Sequence, residues 1–290
     1  MFSKRMRISA VVLFFLQIFS YGDSYKPVVV LHGVLTGAES MVLISDRIQK
    51  AHPGTIVYNF DRFGGWSSLE PMWHQVQEMG KDLANISAIH PEGIHLLGYS
   101  QGGLISRVIL ETFTNHSVHN FISLSSPQGG QYGAAFLHLF FPGLVRETAF
   151  ELFYSRVGQH TAVGNYWNDP RHQKLFYDYS VFLPYVNNII KSEKSDQFKE
   201  GLLKLKNMVL IGGPDDQVIT PWQSSHFGYY DLNETVIEVK SQDIYTKDLI
   251  GLQTLDKKGK LHIVTVPGVD HFMWHKNETI VDEYILPFLD

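Results

Sequence analysis

The segment Gly98-Tyr99-Ser100-Gln101-Gly102 sets a serine between two glycines at the spacing of a nucleophile elbow. That pattern asks Ser100 to occupy a sharp turn with positive φ, where larger side chains two residues before and after would collide. Its setting argues the same way. The pentapeptide follows the apolar run Gly93–Leu97 and opens the stretch Gly102–Phe113, where Leu104, Val108 and Ile109 recur at helical spacing. A helix starting there points its unpaired N–H groups at the serine. A glycine-rich turn carrying an incidental serine would not need this strand–turn–helix frame.

A serine nucleophile requires oxyanion donors, a base and an acid. The Gln101 backbone N–H, directly after the serine, is the first expected donor. The second is assigned to the Val34 N–H, in the loop His32-Gly33-Val34 that follows Val28-Val29-Val30-Leu31. Gly33 lets this loop pass close to a substrate, and His32 is expected to orient it. The acid should follow a later strand, and Gly212-Gly213-Pro214-Asp215-Asp216 comes straight after Met208–Ile211. An aspartate in such a turn often caps local backbone; of the pair, Asp216 is the preferred acid. The base comes last. Leu261–Val266 runs into Pro267-Gly268-Val269-Asp270-His271, which assigns His271, with His275 one helical turn on as the second choice. His95 and His262 fall inside predicted strands and are read as structural.

Metal chemistry is the rival reading, and it finds little support. There is no His-Glu-x-x-His and no cysteine, and His116 and His119 lack a carboxylate partner. No metal and no cofactor is expected.

These residues must be positioned by a larger frame. Lys26–Leu31, Thr55–Phe60, Gly93–Leu97, Phe121–Leu124, Met208–Ile211 and Leu261–Val266 are short runs rich in Val, Ile and Leu, bounded by turn residues. Helix-like stretches such as Ser40–Lys50, Glu70–Ala88 and Gly102–Phe113 lie between them. Alternation of this kind predicts an α/β fold of the α/β-hydrolase type, a mostly parallel sheet with helices on both faces. The region of about 132–206 breaks the rhythm, with no clear strand and thirteen aromatics from Phe136 to Tyr185. It is read as a helical insertion over the carboxyl edge of the sheet. Most of its aromatics are expected to pack the insertion's own core, with a subset lining a groove for an apolar substrate.

The 290 residues, 44% hydrophobic, suffice for one sizeable core, and the formal charge of −5 leaves no nucleic-acid footprint. Lys4, Arg5 and Arg7 precede an apolar run from Ile8 to Phe19 and the residues Ser20-Tyr21-Gly22. This pattern predicts a signal peptide over 1–22, too short for a spanning helix, and a single domain over 23–290. Its removal takes the formal charge from −5 to −8. Sequons at Asn85, Asn115, Asn233 and Asn277 fit passage through the secretory route, where each is a glycosylation candidate. The chain has no cysteine, so a secreted-pathway fold must here rest on its core without disulfides.

With these residues in place, the chain resembles the palmitoyl-protein thioesterases, most closely their second, lysosomal type, over nearly all of the predicted mature chain. The likeness rests on Tyr25-Lys26-Pro27, His52-Pro53-Gly54-Thr55, the elbow through Leu104, Phe121–Gln128 and Gln131-Tyr132-Gly133. Its most specific blocks are Gly212-Gly213-Pro214-Asp215-Asp216 and Ile219-Thr220-Pro221-Trp222-Gln223-Ser224-Ser225. The resemblance implies the same triad of Ser100, Asp216 and His271, hydrolysis of long-chain S-acyl thioesters, and lysosomal residence. For the second type it implies a preference for acyl-CoA over bulky acylated proteins. The chain departs from the family in its missing cysteines, since relatives carry disulfides.

The residues alone do not choose the thioester, because a serine triad cleaves oxygen esters as well. A secreted lipase or carboxylesterase is therefore the alternative. A non-catalytic hydrolase-fold binding protein is the third reading, opposed by the filled triad positions. The expected partner is a fatty acyl thioester, with no nucleic acid and no stable membrane span after leader cleavage.

Overall fold

The computed structural model describes residues 25–290, so the leader predicted at 1–22 lies outside the described residues. Six strands form one sheet: β1 (Val28–Leu31), β2 (Val57–Asn59), β3 (Ile94–Tyr99), β4 (Val118–Leu124), β5 (Asn207–Gly212) and β8 (Leu261–Thr265). Every pairing in it is parallel, in the order β2-β1-β3-β4-β5-β8. A separate two-residue hairpin joins β6 (Tyr229–Tyr230) to β7 (Val236–Ile237). This is the α/β arrangement expected from the sequence, and all six predicted strands are present with shifted ends. β1 starts only after Pro27, which has no N–H to give the ladder. The hairpin escaped notice because two residues per strand carry no readable period.

Residues of β1, β3, β4 and β5 are buried on both faces, as a parallel sheet between helical layers requires. Alternation sorts them to opposite sides. Val29 and Leu31 join the face packed by helices α2 (Met72–Ile89) and α3 (Gln101–Thr112). Val28 and Val30 join the other face, with Ile44 and Ile48 of α1 (Val42–Ala51) and Ile280, Val281 and Ile285 near the end of the chain.

Register then decides function. Leu31 pairs with Gly98, Tyr99 with Leu124, Leu124 with Ile211, and Gly212 with Thr265. The loops after β1, β3, β4, β5 and β8 therefore leave the same edge of the sheet, where α/β proteins bind ligands.

Between β4 and β5 the chain forms six short α-helices, α4 (Ala134–Phe140), α5 (Ala149–Phe153), α6 (Ala162–Tyr166), α7 (Gln173–Tyr179), α8 (Leu183–Val186) and α9 (Ser195–Leu203), with single 3-10 turns among them. Phe153, Tyr166, Trp167, Phe176 and Phe182 are buried in the same cluster as Leu104 and Val108 of α3. The insertion's aromatics thus extend the main core rather than forming a separate one.

A buried polar knot pins this region to α3. Arg107 is fully buried and donates to Glu111 at 2.7 Å, Gln128 at 2.7 Å, Asn187 at 2.8 Å and the Val186 carbonyl at 3.2 Å. Burial pushes the Glu111 carboxyl up to about 7, against the attraction of Arg107. A raised folded-state value adds stability below the unfolded carboxyl range of about 4 and withdraws it as pH climbs through 7. Thermal unfolding should therefore give a higher Tm at pH 5 than at pH 8, and Glu111→Gln should shrink that difference. A variant with the full wild-type pH dependence would show that Glu111 does not set it.

Candidate active site

Ser100 joins the end of β3 to the start of α3 at φ 54° and ψ −126°. A non-glycine residue there costs about 1–3 kcal/mol, so its neighbours must hold it. Two glycines make the turn possible. A Cβ at Gly98 would stand 2.5 Å from the Gly102 carbonyl oxygen, and one at Gly102 would overlap the His32 carbonyl oxygen. The Ser100 N–H donates to the Leu124 carbonyl at 2.9 Å, tying the turn to β4.

Three sequence-distant loops meet at this serine. His271 Nε2 lies 3.1 Å from Ser100 Oγ, and its Nδ1 lies 3.0 and 2.9 Å from the two carboxylate oxygens of Asp216. Tyr99 OH donates to the His271 carbonyl at 2.9 Å, and the His271 N–H donates to the Asp216 carbonyl at 3.1 Å. Asp215 faces the other way. It is exposed, and its carboxylate accepts the Gly268 N–H at 2.6 Å, capping the turn before His271. His275 makes no hydrogen bond to Ser100 or Asp216 and instead packs at a tilt against Tyr99, ring centroids 4.4 Å apart. His95 and His262 lie in β3 and β8, bonded to Asp290 and Asn207.

The Asp216 carboxylate is 1% exposed, and burial alone would raise its pKa. Hydrogen bonds reverse the sign. Besides His271 it accepts from the Ser125 hydroxyl, the Trp274 indole at 2.7 Å, and the Ile219 and Val218 amides at 2.7 and 3.2 Å. The net direction is down, which keeps the carboxylate ionised opposite the imidazole. Sequence reasoning missed Ser125 and Trp274 in this role. Ser125 sits just past the end of β4 at φ 45°, with Oγ 3.2 Å from His271 Nδ1. The only available signal was its place at a strand's carboxyl end.

The two loops that carry the expected oxyanion donors both lie beside the serine. Gln101 is the first residue of α3, and its side chain is held by the Ser68 carbonyl at 2.8 Å and the Tyr166 hydroxyl at 3.0 Å. Its backbone N–H is among the helix-start amides left without an intrahelical acceptor. Opposite, a Cβ at Gly33 would come within 3.1 Å of Ser100 Cβ, so this loop passes as close as glycine allows. The ring nitrogens of His32 lie 2.8 Å from the Gly33 carbonyl and 3.0 Å from that of Arg62, which fixes the loop.

Ser100 and His271 open into a cavity of about 410 Å³, shared with Gly33, Val34, Thr36, Tyr99, Phe136, Leu139, Phe140, Val218, Phe272 and His275. That volume suits a small-molecule site. A wider surface groove of about 550 Å³, lined by Trp73, Val181, Tyr185 and Phe198, holds none of these residues. Among the described residues, no three His, Asp or Glu side chains gather as a metal-ligand set, and no helix is long and apolar enough to cross a membrane. Of the sequons, Asn85, Asn115 and Asn233 are exposed, whereas Asn277 is half-buried and accepts the Thr279 N–H at 3.0 Å.

Two variants test the arrangement around the carboxylate. Asp216→Asn should lower kcat on the order of 10³–10⁴-fold, and Asp215→Asn by less than about threefold, as for an exposed turn residue. The reverse ranking would move the acid to Asp215. Removing a donor from a carboxylate raises its pKa, so in Ser125→Ala the loss of kcat/KM on the acid side should set in at higher pH than in the wild type. An unmoved onset would leave Ser125 a packing role only.

Comparison with known proteins follows the same line. The sequence pattern of the family described as Palmitoyl protein thioesterase matches residues 27–271. The chain is 54% identical over 287 residues to "Lysosomal thioesterase PPT2 homolog" of Drosophila melanogaster, covering 99% of this chain and all of that one. It is 43% identical over 267 residues to "Lysosomal thioesterase PPT2" of Homo sapiens, covering 92% and 88%. Among solved structures it is similar to the mature lipase BlEst2 of Bacillus licheniformis, with TM-score 0.50, 14% identity and coverage of 91% and 92%. The carboxylesterase CesB of Bacillus subtilis gives TM-score 0.50 and 13% identity, covering 92% and 84%. Those two likenesses show an α/β-hydrolase fold, and with the family match and the close relatives the chain belongs to the palmitoyl protein thioesterase family.

Proposed function

We propose that this protein hydrolyses long-chain fatty acyl thioesters, palmitoyl-CoA and related S-acyl substrates, through an acyl-serine intermediate. The observation that carries the reading is the chain of contacts from Ser100 Oγ through His271 to the buried Asp216, opening into a cavity walled by Phe136, Leu139, Phe140 and Val218. His271 takes the Ser100 proton as Oγ attacks the acyl carbon, and Asp216 stabilises the imidazolium that forms. The carbonyl oxygen, now negative, rests on the Gln101 and Val34 N–H groups; losing one such donor costs about 3 kcal/mol. The carbon–sulfur bond then breaks, and the His271 proton passes to the departing sulfur. A water molecule, deprotonated by His271, attacks the acyl-serine and releases the fatty acid, returning the proton to Ser100.

The apolar wall supports a long acyl chain, whose burial is worth about 0.8 kcal/mol per CH₂. Helices α4–α9 would act as a cap over the domain spanning 23–290, since α4 supplies three of these wall residues. Lysosomal residence, reached after cleavage of a leader at 1–22, is supported by the names of the relatives and by the exposed sequons. At that destination the expected ligand is the acyl thioester alone.

The test is a substrate comparison with a labelling control. A fluorophosphonate should label the wild type and not Ser100→Ala; equal labelling would end the assignment of the nucleophile. On the labelled enzyme, kcat/KM should be higher for palmitoyl-CoA or a palmitoylated cysteine peptide than for a long-chain oxygen ester. An oxygen ester ahead by about tenfold, or 1.4 kcal/mol, would make the protein a lipase or carboxylesterase instead.

A further inference from the structure

A second cavity, of about 380 Å³, shares no residue with the one at Ser100. Its wall is built from α7, the residue after α8, and the β6–β7 hairpin with the residues that flank it. Five aromatic residues contribute, Phe176, Tyr177, Phe227, Tyr229 and Tyr230, and the volume suits a small molecule. One polar group is aimed into it. Asn187 is 4% exposed, and its Oδ1 accepts from Arg107 at 2.8 Å. A guanidinium only donates, so the end of the amide facing Arg107 is oxygen and the Nδ2 end points away. Among the described residues Nδ2 has no hydrogen-bond partner, yet it is not sealed as the neighbouring Asn188 Oδ1 is. Its remaining surface belongs to the cavity that Asn187 lines. By contrast, the buried amides of Gln75, Gln101, Gln128, Asn165 and Asn168 are bonded at both ends. An open donor at Asn187 therefore points to a ligand that accepts from it.

The rest of the lining narrows that ligand. No Lys, Arg or His is in the wall, and Arg107 lies behind the Phe227 ring, 5.2 Å from its centroid. With Asp231 and Asp243 in the lining, a phosphate or a carboxylate would meet like charge. A hydrocarbon would leave the Asn187 N–H unpaired. Acceptors are also on offer. The side-chain nitrogens of Gln173 and Gln242 are committed to protein oxygens at 2.8 and 2.9 Å, which leaves their Oε1 atoms to accept. Asp231 gives one carboxylate oxygen to the Asn233 and Thr235 amides and keeps the other. A cation would use these acceptors and the ring faces but not the Asn187 N–H. A sugar uses all three, since its hydroxyls both donate and accept and its C–H face covers an aromatic ring.

We propose that this cavity binds a neutral pyranose sugar, with Asn187 Nδ2 donating to one of its oxygens, the Gln173, Gln242 and Asp231 oxygens accepting from its hydroxyls, and the aromatic wall covering its C–H face. Two sources carry that chemistry. Asn233, an exposed sequon residue, lies in the turn of the β6–β7 hairpin two positions after Asp231, so a glycan attached there starts beside the cavity. A glycan on another molecule presents the same groups.

The experiment is ligand-observed NMR on the protein made in glycosylating cells and on its Asn233→Gln variant. The probes are the methyl glycosides of mannose and N-acetylglucosamine, with choline as the cationic control. Saturable sugar binding by both proteins upholds the proposal and assigns the cavity to a glycan of another molecule. Binding by Asn233→Gln alone upholds it and assigns the cavity to the chain's own glycan. Two further variants, made in the Asn233→Gln background, locate the site. Asn187→Asp keeps an oxygen for Arg107 and loses the N–H, and Tyr230→Ala removes a half-buried ring. Each should weaken sugar binding by about tenfold, the worth of one well-placed contact. Fluorophosphonate labelling of Ser100 counts the folded protein in each preparation, and if Asn187→Asp does not fold, Tyr230→Ala decides alone. No sugar binding by either protein overturns the proposal. So does binding of choline in place of the sugars, or an unchanged sugar affinity in the folded variants.

Discussion

A serine held at φ 54° is a conformation the chain does not choose unaided, and the surrounding structure is arranged so that Ser100 has no other. β3 arrives with its side chains buried on both faces, α3 leaves at once, and the glycines at 98 and 102 let strand, helix and the His32 loop touch backbone to backbone. The Ser100 N–H is committed to Leu124, and the Gln101 side chain is committed to Ser68, Gln75 and Tyr166. The strain places Oγ at the sheet's carboxyl edge and leaves the first amides of α3 facing the same space.

The second demand is a charge. A carboxylate as buried as Asp216 would be costly alone, and the fold supplies donors from four places in the chain to keep it ionised: the turn after β4, the turn after β5 itself, His271 and Trp274. The segment after β8 is unusually economical. His271, Trp274 and His275 fall at positions i, i+3 and i+4, which one helical turn brings to a common side. The first faces the serine, the second ties back to the carboxylate, and the third enters the cavity wall. One short stretch thus joins the histidine at the serine, the clamp on the buried carboxylate and a wall of the cavity.

Much of this was legible beforehand. Strands buried on both faces read as continuous apolar runs, so the six members of the sheet could be found, with ends that moved by one to three residues. The elbow was legible because its glycines answer a steric need that few other turns share. The insertion was legible only as helical and aromatic. Composition does not say whether Phe153, Trp167 and Phe176 pack among themselves or against α3, since both solutions bury the same area; the structure shows one continuous core. Ser125 was not legible as a carboxylate ligand, because a serine after a strand has many uses and nothing local ties it to a residue 91 positions away.

By itself, then, the sequence singled out Ser100 as the candidate nucleophile, set the order in which serine, aspartate and histidine follow their strands, and left a short set of candidates for the acid and the base. The tertiary structure shows which of the candidates meet. Asp215 and Asp216 are neighbours of identical chemistry, and successive side chains in an irregular turn point in different directions; only the packed turn shows Asp216 turned inward on His271 and Asp215 outward on Gly268. His271 and His275 likewise share a segment, and it is the pairing of β5 with β8 that sets which of them meets the serine. Local sequence specifies which turns exist. The register of the parallel strands specifies which of their side chains meet, because it alone fixes how far along a common edge each loop begins.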